Sequence, residues 1–118
     1  MTRSLGYWPG HRLGFAGRQP RALMSDWGYE ARHGRYRLRG DHTDYEAALG
    51  KLAVPTLLVD IAGDQMIPRA AVDHLAARLP ADIDRVTVDA VPDHFLWARR
   101  TPEKVITRVE SWLAARGL

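Results

Sequence analysis

The spacing of apolar residues changes near the middle of the chain. In "VPTLLVDIA", 54–62, they run almost unbroken and include valine and isoleucine, which predicts a short strand covered on both faces. The segment "PRAAVDHLAARL", 68–79, opens with a proline suited to a first helical position and sets Val72, Leu75, Ala76 and Leu79 on one helical face. In "DRVTVDAV", 84–91, Val86 and Val88 alternate with polar residues, the period of a second strand. Thr101-Pro102 then predicts a capped helix start, with Val105, Val109, Trp112 and Leu113 as the buried stripe of a last helix. Strand, helix, strand and helix in that order predict an α/β fold with parallel strands joined by a right-handed crossover.

Residues 1–52 have a different texture. Trp8, Phe15, Trp27 and Tyr36 are scattered rather than periodic, and "WPGHRLGFAGRQP" is dense enough in turn residues to predict irregular structure. Behind Pro20, "RALMSDWGYEARH" carries Leu23, Met24, Trp27 and Ala31 at helical spacing, against the propensity of Gly28. "DHTDYEAALGKL" reads as a short helix closed by Gly50. The chain therefore divides into a mostly helical or irregular segment, 1–52, and a regular α/β segment, 53–118. Two parallel strands are too few for a stable sheet, because parallel sheets need covered faces and paired edges. The strand around Leu57–Ile61 reads as a central one lacking neighbours, as at the end of a larger α/β domain.

Composition narrows the classes. A chain of 118 residues, 46% hydrophobic and 26% charged, has the balance of a globular domain. It contains no run near the ~20 apolar residues of a membrane span. Its start lacks the apolar core of a secretory signal, and a cytoplasmic location is the default expectation. Without cysteine there is no disulfide framework and no thiolate nucleophile or metal ligand. His11, His33 and His42 are too widely spaced for a metal motif, and His74 reads as a surface residue, so neither metal nor cofactor is expected. Residues 1–52 hold nine Lys/Arg against five Asp/Glu, and residues 53–118 eight against nine. The excess lies in "RHGRYRLRG", which reads as a solvated basic loop; no nucleic-acid motif accompanies it, and no glycine-rich nucleotide loop follows a strand.

The chemistry sits just past the two strands. Functional side chains of open α/β sheets gather beyond the carboxyl ends of strands, and both Asp64 and His94 fall there. Histidine serves as a general base at neutral pH, with an unperturbed pKa near ~6.5. A carboxylate on its other ring nitrogen fixes the tautomer and stabilises the imidazolium. Taken alone, Asp64 also suits a helix N-terminus, and His94 a loop histidine between apolar walls. Asp60, within the strand, is the competing acid and reads as a sheet-end or buried polar residue.

These segments resemble the α/β-hydrolases. "VPTLLVDIAGDQMIP" is similar to their acid-bearing strand and loop, and "VPDHFLWARRTPEKVITRVESWL" to their histidine loop and final helix. "GYWPGHRLGF" with "DWGYEARHGRY" looks like the cap of a bacterial subgroup akin to serine aminopeptidases. The resemblance implies the C-terminal portion of that fold, Asp64 as triad acid and His94 as triad base, and a small-molecule ester or amide as substrate. Trp8, Phe15, Trp27 and Trp97 become candidate pocket residues, with packing as their other reading.

Two departures stand out. Family members commonly carry glycine before the histidine; here Asp93 stands there, either raising the histidine pKa by pointing inward or lying in solvent. The family's serine occupies a G-x-S-x-G elbow, and none of Ser4, Ser25 or Ser111 has that setting. The nucleophile is then expected in an absent N-terminal half, and this chain alone is expected to be inactive. The alternative is a catalytically silent module that dimerises, or binds protein, through its open sheet edge.

Overall fold

The computed structural model describes residues 6–14, 17–80 and 82–118. Two compact units divide the chain, Met1–Ala48 and Leu49–Leu118. Among the described residues no helix is long and apolar enough to cross a membrane.

The first unit contradicts the expectation of irregular structure before Pro20. Strand β1 (Tyr7–Pro9) pairs antiparallel with β2 (Arg18–Pro20), Trp8 opposite Gln19. The short helix α1 (Gly10–Leu13) lies between them and ends at Gly14, whose φ of 71° suits a residue without a Cβ. Helix α2 (Arg21–His33) begins directly after Pro20, where the chain can no longer extend the ladder, and stops at Gly34 with φ 60° and its N–H on the Glu30 carbonyl. Gly28 within it costs about 1 kcal/mol of intrinsic propensity. The last turn gains from the Tyr29 and His33 rings, stacked at 4.2 Å, and the Arg37 guanidinium lies 3.8 Å over Tyr29. Helix α3 (Tyr45–Leu49) starts where Asp44 accepts the Ala47 N–H.

In the second unit, β3 (Thr56–Ile61) and β4 (Ile83–Val88) run parallel, with Thr56 opposite Ile83 and Ile61 opposite Val88. Helix α4 (Arg69–Ala76) makes the crossover. It ends earlier than the apolar spacing predicts, because Arg78 and Leu79 bond three rather than four residues back, tightening the last turn. A four-residue helix α5 (Trp97–Arg100) precedes α6 (Pro102–Ala115). The register puts Leu57, Val59 and Ile61 on one sheet face with Asp84, Val86 and Val88, and Leu58 and Asp60 on the other with Arg85 and Thr87.

Each face has its own helix. Val59, Ile61, Val86, Trp97 and Val109 pack around the buried Val88, Ala90 and Val105, so α6 covers the first face. The opposite face takes α4, with Val72 buried, Arg69 bonded to Thr87 and Arg85 paired with Asp73 at 2.7 Å. Burying an aliphatic side chain is worth roughly 1.5–3 kcal/mol, and among the described hydrophobic residues here only three valines and an alanine are buried, so this core is small. The start of α6 departs from the sequence expectation. Thr101 makes no side-chain cap; its hydroxyl accepts the Val91 N–H at 3.1 Å instead.

Candidate acid–base site

The loop after β3 turns at Gly63, whose φ of 76° lies in the left-handed region that favours glycine. A Cβ there would come within 3.2 Å of the Pro92 Cβ, so the loops that follow β3 and β4 approach closely at this point. The next residue, Asp64, is 7% exposed although charged. Its N–H reaches back to the Ile61 carbonyl, and its Oδ1 accepts the N–H groups of Met66 at 2.8 Å and Ile67 at 3.2 Å. Its Oδ2 faces His94 Nδ1 at 3.0 Å. Thirty positions of sequence separate the two residues, and the parallel pairing of their strands brings them together.

Three side chains hold the histidine loop. The Thr101 hydroxyl takes the Val91 N–H, and Lys104 Nζ donates to the Asp89 carbonyl at 2.8 Å. Asp93 Oδ1 accepts the N–H groups of Phe95 at 2.9 Å and Leu96 at 2.8 Å. That oxygen is thus committed to closing its own turn, a backbone role that neither sequence reading of Asp93 contained. Phe95, 64% exposed, meets the His94 ring edge-on at 5.2 Å.

The electrostatics of the pair are one-sided. Burial alone would raise the Asp64 pKa, but the two backbone N–H groups and His94 outweigh it and hold the carboxyl below its ordinary value. An ionised Asp64 can only accept, so the contact requires the proton on Nδ1. In neutral His94 the lone pair then sits on Nε2, which has no hydrogen-bond partner among the described residues. The acid side chain is 3% exposed and the base 40%. A buried acceptor that fixes the tautomer of an accessible imidazole is the arrangement a general base needs.

Beside the pair lies a recess of about 250 Å³, bordered by Val59, Ile61, Ile67, Trp97 and Val105, with Asp60, Asp64 and His94 also on its wall. One Asp60 carboxylate oxygen, Oδ1, is buried without a partner among the described residues. Of the candidate pocket residues, Trp97 lines this recess; Trp8 on β1 and Trp27 on α2 belong to the first unit, and Phe15 lies outside the described residues. Ser111 Oγ is spent on the Thr107 carbonyl within α6. Ser25 sits on α2 in the first unit, and Ser4 lies outside the described residues.

Family models, curated proteins and solved structures give no match to this chain. The site therefore rests on its own geometry. Sequence reading singled out Asp64, His94 and Trp97 but not the roles of Gly63 and Thr101. Gly63 had a signal, a glycine directly before a buried acid; Thr101 had none, since a Thr-Pro step looks the same whether the hydroxyl caps its own helix or reaches ten residues back.

Proposed function

We propose that the second unit is the acid-and-base end of a serine-hydrolase site of the α/β-hydrolase type, acting on an ester or amide bond. The observation that carries this reading is the 3.0 Å contact between the buried Asp64 and the accessible His94, each set just beyond the carboxyl end of neighbouring parallel strands. Asp64 holds the proton on Nδ1. Nε2 takes the proton of a serine hydroxyl as the oxygen attacks the carbonyl carbon, then returns it to the leaving alkoxide or amine. Asp64 stabilises the imidazolium that exists between the two transfers. The serine comes from outside the described residues, and the apolar recess beside His94 suits the acyl or alcohol part of a small substrate.

The test uses p-nitrophenyl acetate, an ester activated enough to react with an imidazole unaided by serine. The expected result is slow release of p-nitrophenol that falls several-fold in both His94→Ala and Asp64→Asn but not in His74→Ala. Equal rates in all four proteins would remove the basis for the reading. A second reading, a silent dimerising module, is favoured by the unpaired edge of β3 among the described residues.

A further inference from the structure

We infer that the open edge of β3 pairs antiparallel with β3 of a second copy of this chain, centred on Leu58. This inference rests on the second reading, the dimerising module, and not on the acid–base pair. The backbone groups that face that edge set the register. The Ala62 N–H bonds the Val88 carbonyl, so the even-numbered residues of β3 direct their N–H and C=O groups toward β4. The odd-numbered residues point the other way. Leu57 and Val59 therefore present N–H and C=O groups at the open edge, where no described residue bonds them.

A two-fold axis at Leu58 sets Leu57 opposite Val59 of the second copy, and Val59 opposite Leu57. Both are hydrogen-bonded pairs, each exchanging an N–H and a C=O in both directions. Ile61 then stands opposite Pro55 of the second copy. Proline has no N–H to give, and the Ile61 carbonyl already accepts the Asp64 N–H at 3.2 Å, so neither group is left over. The remaining Ile61 N–H meets the Pro55 carbonyl.

The side chains agree with that register. Thr56 falls opposite Asp60 of the second copy as a non-hydrogen-bonded pair, the closer of the two pair types. The Thr56 hydroxyl, which donates to the Val54 carbonyl at 3.0 Å in one chain, then lies beside the Asp60 side chain, one of whose carboxylate oxygens lacks a partner among the described residues. Leu58 meets Leu58 at the centre. The result is a four-stranded sheet in the order β4, β3, β3, β4. The outer edges are the β4 strands, which carry Asp84 and Arg85, the charged residues that suit an exposed edge.

Sedimentation equilibrium of the full chain tests this from about 1 to 200 µM, a range bracketing micromolar affinity. The expected mass is twice 13.3 kDa at the upper end, with the Leu57 and Val59 amides protected from exchange. Thr56→Glu places a carboxylate opposite Asp60 and is expected to weaken the dimer about tenfold or more, whereas Thr56→Lys is expected to tighten it. A loss of folding would move both variants the same way; an interface contact moves them apart. A monomer throughout overturns the inference, as does a dimer in which the two amides exchange freely or the two variants behave alike. Protection of those amides only on adding a different polypeptide would assign the edge to that polypeptide and equally overturn it.

Discussion

Replacing Asp64 by Asn keeps the shape of the side chain and removes its charge. The Met66 and Ile67 N–H groups keep an acceptor in Oδ1, but both bonds lose their charge-assisted part, and the amide turns an N–H₂ toward the protonated Nδ1 of His94. Hydrogen bonds to a charged group contribute about 1.5–3 kcal/mol and neutral ones about 1. Losing one such bond and weakening two, offset by no longer burying a charge, gives a net loss of about 2 kcal/mol at pH 7. The pH dependence follows from the lowered carboxyl pKa. A carboxyl whose folded pKa lies below its unfolded value of ~3.9 stabilises fully above that value. The contribution fades as pH falls through the folded pKa, because both states are then protonated. Wild type and Asp64→Asn should therefore differ by about 2 kcal/mol near pH 7 and converge in acid, once Asp64 is protonated in both states. Urea titrations followed by the amide signals of β3 and β4 measure both differences. An equal gap at the two pH values, or none near pH 7, would refute the reasoning.

Gly63→Ala forces a Cβ into the left-handed region and to 3.2 Å from Pro92. It should cost about 1–2 kcal/mol by the same unfolding assay and displace the His94 side-chain resonances. Thr101→Val keeps the β-branched shape but orphans the Val91 N–H. About 1 kcal/mol should be lost, with faster Val91 exchange and unchanged helicity, whereas a hydroxyl that capped α6 would show its loss as fraying of that helix. Trp112→Phe removes the indole N–H that donates to Asp84 at 2.6 Å, a bond that holds the Asp84 carboxyl below its ordinary value. The Asp84 carboxyl, followed by ¹³C chemical shift, should then titrate at a higher pH than in the wild type.

The parts of the fold that were legible in the sequence are those whose residues repeat. The apolar run of β3, the alternation at Val86 and Val88, and the stripe of α6 each report a face packed against something, whereas α2 forms where its spacing predicts but leaves Leu23 and Trp27 exposed. The β1–β2 pair was not legible. Three-residue strands ending in Pro9 and Pro20 leave no periodicity to read, and pairing partners come from across a helix rather than from a two-residue turn. The site was legible in its two chemical groups, because an acid and a histidine each followed a strand. The turn that makes Asp64 a buried acceptor was not, since it depends on the direction of the Met66 and Ile67 N–H groups rather than on their side chains. The Thr101 hydroxyl and the committed Asp93 oxygen were hidden for the same reason, as side chains serving distant or local backbone.

The most direct test of the acid–base pair is the protonation pattern of neutral His94 by ¹⁵N-edited NMR of histidine-labelled protein in mildly alkaline buffer. The account predicts the proton on Nδ1, shifted downfield by its bond to Asp64, a bare Nε2, and loss of that downfield proton in Asp64→Asn. A proton on Nε2, with Nδ1 bare beside the carboxylate, would contradict it.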